Sequence, residues 1–152
     1  MVVKGEYTIP EGFNRVDSLH LSLSRTLYVK EMHKELLLKQ LETALSGVEL
    51  PTTKISFSKL AKYSNDEGTC HFLALDLAEG ESAGQLEKAI QLIDSVLKGF
   101  GLPQYYDPPS LHVSLGWRVD DWSLSTFYFE FSLNAVFDEI LMKCGNKIHK
   151  LR

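Results

Sequence analysis

The chain has little cysteine, little excess of either charge and no long apolar run, and each shortage removes a class of protein. Cys70 and Cys144 are the two cysteines among 152 residues, and they form neither a Cys-x-x-Cys pair nor a zinc constellation with five scattered histidines. Both are expected to be reduced and structural. No stretch approaches the ~18 apolar residues of a membrane helix. The start, Met1 to Glu6, lacks the apolar segment of a secretory signal, so an intracellular protein without a membrane partner is expected. Sixteen Lys and Arg against 20 Asp and Glu leave a net charge of −4, which argues against holding long nucleic acid on a broad basic face. An enzyme gripping a few nucleotides at a strand end remains compatible with that balance. The chain also lacks linker-like or low-complexity stretches. At 44% hydrophobic and 24% charged residues it reads as one ordinary globular domain spanning 1–152.

The periodicity of what is there predicts alternating strands and helices. Leu19-His20-Leu21-Ser22-Leu23 alternates apolar and polar with the period of a half-buried strand, extending toward Val29. Leucines at 36, 37, 38, 41 and 45 predict a helix from about His33 to Leu45 that buries them, stopped by Gly47 with Pro51 beyond. Residues 53–63 alternate again, 64–68 are dense in turn formers, and Cys70 to Leu77 is the expected returning strand. Leu86, Ile90, Ile93 and Leu97 predict a second helix over 84–98, ended by Gly99, Gly101 and Pro103. A Pro/Tyr/Asp segment leads into Leu111-His112-Val113-Ser114-Leu115, which repeats the phase of the first His strand. Further strands are expected at 126–133, at Val2 to Thr8, and in a terminal hairpin of 139–144 and 147–151 about Gly145-Asn146.

In an extended strand residues i and i+2 share a face, so His20 and Ser22 stand together opposite three leucines. His112 and Ser114 stand likewise opposite Leu111, Val113 and Leu115. A strand of that kind packs one side on a core and lines a wet cleft with the other. With 5 His and 14 Ser, about 0.5 His-x-Ser triplets are expected by chance, and roughly 0.04 once apolar flanks are required. A lone His on a strand is more often a hydrogen-bonded structural residue; two in the same apolar frame point to chemistry. A pair of histidines near their ordinary pKa of about 6.5 can take a proton from a nucleophile and give one to a leaving oxygen without a metal. The hydroxyls of Ser22 and Ser114 can donate to non-bridging phosphate oxygens.

These paired motifs resemble those of the 2H phosphoesterase superfamily. The surrounding words resemble its U6 snRNA phosphodiesterase branch: His20-Leu-Ser-Leu-Ser-Arg-Thr-Leu27, Phe100-Gly-Leu-Pro103, Tyr106-Asp-Pro-Pro-Ser-Leu-His-Val-Ser-Leu-Gly-Trp117 and Cys144-Gly-Asn-Lys147. The likeness runs from about Leu19 to Leu151. It implies an α/β fold of the α+β type, bilobal, with two antiparallel sheets and flanking helices around a central cleft and a pseudo-twofold axis between lobes. It also implies a nuclear 3′→5′ exoribonuclease that trims the uridine tail of U6 snRNA and leaves a 2′,3′-cyclic or simple terminal phosphate. His20 and His112 would be the acid–base pair, Ser22 and Ser114 the phosphate-binding hydroxyls, and Tyr106 the aromatic that stacks on a terminal base. No cofactor or metal is called for, the partner is an RNA 3′ end such as oligouridine, and a monomer is expected. Only 19 residues precede His20, which leaves room for a strand but not for the family's usual helix, so the first lobe is expected to be incomplete at its N-terminus.

Two other functions fit the same residues: a 2′,3′-cyclic nucleotide phosphodiesterase, and a catalytically silent RNA-binding relative. Tyr106 can equally pack on Tyr105 and Pro108 as a turn residue. Arg25 and Lys147 are candidates for phosphate contact, though ordinary surface charge is the commoner role. Trp117 and Trp122 could extend a stacking platform or seal a core edge. His33 and His149 read as solvated, and His71 beside Cys70 is a weak metal signal.

Overall fold

A computed structural model describes residues 2–51, 55–124, 131–136 and 139–152, with the backbone alone for 2–6 and 131–136. The strands are β1 (Val2–Tyr7), β2 (Asn14–Arg15), β3 (Phe57–Ser64), β4 (His71–Leu77), β5 (His112–Arg118), β6 (Phe131–Val136), β7 (Leu141–Cys144) and β8 (Lys147–Lys150). The helices are α1 (Lys34–Leu45), entered through a 3-10 turn at Glu31–His33, and α2 (Glu81–Gly99). Every strand pair is antiparallel: a four-stranded sheet in the order β2-β5-β4-β3, and the pairs β1-β6 and β7-β8. No helix among the described residues is long and apolar enough to cross a membrane.

One face of the four-stranded sheet packs on the two helices. Leu75, Leu77, Val113 and Leu115 from the sheet join Leu37, Leu41 and Leu45 of α1 and Leu86, Ile90, Ile93 and Leu97 of α2 in one cluster. The α1 stripe follows the i, i+4, i+8 spacing that keeps side chains on one helix face. Leu36 falls one step off that stripe and is 53% exposed, so α1 does not bury all its leucines as expected. The α2 end is fixed by backbone geometry. Gly101, with φ 67°, lets its own N–H reach the Lys98 carbonyl while Leu102 N–H reaches the Leu97 carbonyl, a Schellman stop before Pro103. The word Phe100-Gly-Leu-Pro103 is thus a helix terminator that aims the next loop.

The predicted first strand is the main departure. Leu21 makes a single antiparallel bridge to Val113, and no strand runs on to Val29. Two constraints account for this. The same edge of β5 is taken further along by β2, with Arg15 opposite Gly116 and Asn14 opposite Trp117. A Cβ on Gly116 would stand 3.1 Å from the Asn14 carbonyl, so glycine there admits the close approach. In the other direction β5 is preceded by Pro108 and Pro109, which have no N–H to extend a ladder.

The remaining expectations hold with shifted ends. The 53–63 strand begins at Phe57, residues 52–54 lying outside the described set, and the turn is closed by Asn65, whose side-chain oxygen accepts from the N–H groups of Thr69 and Cys70. The first part of 126–133 is likewise outside the described residues, and β6 occupies Phe131–Val136 opposite β1. The terminal hairpin pairs Cys144 with Lys147 across Gly145-Asn146. Its end is tied back where Arg152 Nε donates to the Val48 carbonyl at 3.0 Å. Trp122 is buried, edge-on against Phe13 at 4.9 Å with Lys62 Nζ 5.6 Å from its ring centroid, so of its two possible roles it takes the packing one.

Leu86→Ala should lower unfolding free energy by about 2–5 kcal/mol, because Leu86 is fully buried between helix and sheet. Leu36→Ala should change it by no more than about 0.5 kcal/mol. Urea denaturation of the two variants beside the wild type checks both, and equal losses would mean the stripe is misplaced.

Candidate active site on the polar sheet face

The bridge between Leu21 and Val113 sets the geometry of everything around it. Both side chains are buried, so the residues flanking each one project to the opposite, open face. Counting outward in the antiparallel sense sets His20 across from Ser114 and Ser22 across from His112. Each histidine therefore stands opposite the other motif's serine, and a local twofold through the bridge relates the halves. The two histidines occupy diagonal positions, which on such a pair lie roughly 7–8 Å apart at Cα, close enough for both rings to address one phosphodiester.

The orientation of each ring is set in the same way. His20 Nδ1 lies 3.0 Å from the Ser18 carbonyl, and His112 Nδ1 lies 2.8 Å from the Ser110 carbonyl. A carbonyl only accepts, so both Nδ1 atoms carry hydrogen and both Nε2 atoms are left for chemistry. Ser18 and Ser110 were not singled out in the sequence, although a signal existed. Ser18-Leu-His-Leu-Ser-Leu23 and Ser110-Leu-His-Val-Ser-Leu115 differ at one position only. The useful repeat is thus longer than His-x-Ser.

Three further residues support the site. Tyr105 is buried, and its hydroxyl donates to the Ser110 carbonyl at 2.9 Å while lying 3.3 Å from the Ser22 carbonyl, which links the two motifs. Burial pushes the Tyr105 phenol up to about 12, so it stays a donor. Tyr63 of β3 stacks on the His112 ring, centroids 3.8 Å apart and planes 13° from parallel. Its hydroxyl donates to Asp76 Oδ1 at 2.5 Å, and Asp76 on β4 stands directly across from His112. Nothing in the local sequence of β3 or β4 marks Tyr63 or Asp76, because their roles arise from strand register.

His112 is half-buried, and burial is the main reason its pKa is held below the ordinary 6.5. Its hydrogen bond to the Ser110 carbonyl and the Asp76 charge pull the other way, while His20 pushes it further down. His20, Ser22 and Tyr106 are exposed, whereas Ser114 is partly covered.

Tyr106 projects from the loop before β5, with a cis Asp107–Pro108 bond just after it. Arg25 lies over its ring at 4.1 Å, and its hydroxyl reaches Asp66 Oδ1 at 3.4 Å. Tyr106 meets Tyr105 edge-on at 5.4 Å, so the turn-packing contact expected with that neighbour is present while the ring stays 38% exposed. Lys147 is in the β7-β8 hairpin, a different sheet from the histidines. His71 Nδ1 pairs with the Ser64 hydroxyl at 2.8 Å, and His33 packs edge-on against Phe100. Both cysteines are free.

An α/β fold that sets two His-x-Ser motifs on one sheet face is of the 2H phosphoesterase type. Residues 6–152 match the HVSL family, described as an uncharacterised conserved protein, and the chain belongs to that family. Its four letters spell residues 112–115 of this chain. The chain is 33% identical over 142 residues to U6 snRNA phosphodiesterase 1 of Drosophila melanogaster, covering 86% of this chain and 54% of that protein. It is 27% identical over 152 residues to U6 snRNA phosphodiesterase 1 of Rattus norvegicus, covering 90% and 55%. The chain thus spans about half the length of these curated relatives. A solved structure of Kluyveromyces marxianus Usb1 with uridine monophosphate shares the fold, with a TM-score of 0.51 and 23% identity over 69% of this chain and 54% of that one.

The depressed pKa of His112 has a consequence for stability. The unfolded chain takes up the proton near pH 6.5 while the folded one resists it, so unfolding gains protons and stability falls as pH drops below about 6.5. Urea midpoints measured between pH 5 and 8 should show this slope, reduced in His112→Gln. A slope unchanged by that substitution would assign it to other groups.

Proposed function

We propose that this chain is a phosphodiesterase acting at the 3′ end of RNA, with U6 snRNA as the substrate its relatives' names indicate. The observation that carries this reading is the Leu21–Val113 bridge, which sets the two motifs side by side, with no hydrogen bond to either Nε2 atom among the described residues. His20 and His112 are the acid–base pair, Ser22 and Ser114 bind non-bridging oxygens, and Tyr106 stacks on the terminal base. The reaction needs no metal or cofactor in this reading. The local twofold between the motifs fits two lobes of a single domain, and a U6 snRNA substrate fits a nuclear location. The protein would act as a monomer.

The roles of the two histidines follow from their surroundings. His112, whose pKa burial holds below the ordinary 6.5, offers the Nε2 lone pair and is suited to take a proton. His20 is exposed and can carry the proton that the leaving oxygen needs. Ser22 and Ser114 each face the other motif's histidine across the bridge, but among the described residues neither hydroxyl is hydrogen-bonded to an imidazole, so both are read as phosphate donors and not as nucleophiles. The substrate's own 2′-OH already lies next to its 3′-phosphate and loses little entropy on attack. His112 would take the 2′-OH proton as the O2′–P bond forms, and His20 would protonate the departing 5′-oxygen as the P–O5′ bond breaks. The first product is then a 2′,3′-cyclic phosphate. Ser22 and Ser114 stabilise the charge that gathers on the non-bridging oxygens.

A labelled oligouridylate should be shortened in a ladder from its 3′ end, with excess EDTA present throughout. His20→Ala and His112→Ala should each slow it by a factor on the order of 10² or more. Hydrolysis of small cyclic nucleotides alone would favour the cyclic phosphodiesterase, and a gel shift without cleavage would favour a silent RNA-binding relative.

Replacing the ribose at one linkage with 2′-deoxyribose should block cleavage there and leave binding nearly unchanged, because Tyr106 reads the base and not the sugar. Base–aromatic stacking of this kind is worth roughly 1–3 kcal/mol. Efficient cutting at the deoxy linkage would mean that water or a protein group attacks phosphorus.

A further inference from the structure

We propose that Tyr63 and Asp76 form a positioning pair for His112, the Tyr63 ring fixing the plane of the imidazole and its hydroxyl restraining the Asp76 carboxylate that faces it. This rests on His112 acting as the base.

The geometry ties three strands together at one ring. Tyr63 on β3 covers one face of His112 on β5 in a near-parallel stack of 3.8 Å, and its hydroxyl reaches across to Asp76 on β4, the strand between them. Asp76 lies opposite His112 in the β4-β5 register, on the same face. Nδ1 of His112 is already engaged by the Ser110 carbonyl, with the Ser110 hydroxyl 3.5 Å away. The ring thus has its rotation fixed by Ser110 and its tilt fixed by Tyr63. Among the described residues no hydrogen bond engages Nε2.

Other charged or titratable groups face His112 from each side. His20 comes from the segment bridged to β5, and Lys59 on β3 lies 4.0 Å from Asp76 with an exposed side chain. Asp76 is the negative one of these, and left alone it would favour the imidazolium. A phenol that donates to the carboxylate at 2.5 Å spreads part of that charge onto itself and weakens its hold on His112. Burial and the bond to Asp76 keep the Tyr63 phenol above its ordinary range, so the hydroxyl remains protonated and continues to donate. Tyr63 accordingly acts twice in one direction, since its ring desolvates the imidazole and its hydroxyl blunts the opposing charge.

The hydroxyl and the carboxylate can be removed separately with little change of shape. Tyr63→Phe keeps the stack and releases Asp76, so the His112 midpoint should rise by about half a unit; Asp76→Asn removes the charge, so it should fall by a similar amount. The His112 ring signal, assigned by its loss in His112→Gln, reports both midpoints by NMR titration of the full chain whether or not RNA is cleaved. With an oligouridylate substrate, the acid limb of kcat/KM should move to higher pH in Tyr63→Phe and to lower pH in Asp76→Asn. Opposite shifts in the NMR midpoints support the pair. No shift in either variant, or shifts of one sign in both, would overturn it, and a shift in Asp76→Asn alone would remove the hydroxyl from the arrangement. If the midpoints move as expected but no oligonucleotide is cut, the pair stands and the assigned reaction fails.

Discussion

A single backbone bridge, Leu21 to Val113, brings the two His-x-Ser motifs side by side and fixes which way the polar side chains of the first one point. Because each of these two residues is buried against the helices, its neighbours have no choice but the other face. A slip of one residue in the bridged segment would send His20 and Ser22 into the core and expose Leu21 and Leu23, while the β4-β5 ladder keeps His112 in place. The hydrophobic frame around each motif therefore sets the direction of its polar side chains as well as the packing of the core. The two functions cannot be mutated independently at Leu21 or Val113.

Around that bridge the supporting contacts come in two layers. The inner one is repeated in both halves: a serine carbonyl two residues upstream locks each Nδ1, and Tyr105 spans the carbonyls of Ser22 and Ser110. The outer layer is unequal. His112 is paired with Asp76 on β4 and covered by Tyr63, whereas His20 is exposed beside a single backbone bridge. Two nearly identical motifs are thereby given different surroundings, and at His112 burial outweighs the Ser110 carbonyl and the Asp76 charge in holding the pKa below 6.5.

The sequence was most legible where periodicity and chemistry coincide. Both helices, the β3-β4 hairpin, the terminal hairpin and the strand carrying His112 could be read from alternation, leucine spacing and turn residues. The His20 strand could not be delimited, because its five-residue alternation is real but its length is limited by competition with Asn14 and Arg15 for the edge of β5 and by Pro108 and Pro109. Leu36 shows the same limit from another side, since helical spacing marks a stripe and one leucine lies outside it. In the site itself His20, His112, Ser22 and Ser114 were marked by a repeat. Ser18 and Ser110 belong to that repeat but act through their carbonyls, which residue identity does not advertise. Tyr63, Asp76 and Tyr105 depend on register and on long-range hydrogen bonds, so no local pattern could reveal them.

The two walls of the site are also held in different ways. β5 is laced to β4 along a ladder, whereas the His20 segment has one backbone bridge, the Tyr105 hydroxyl near the Ser22 carbonyl, and the buried side chains of Leu21 and Leu23. The wall bearing His112 is therefore sewn along its length, and the wall bearing His20 is pegged into the core by its leucines. A change in packing beneath Leu21 or Leu23 would thus displace His20 while the seam keeps His112 in place.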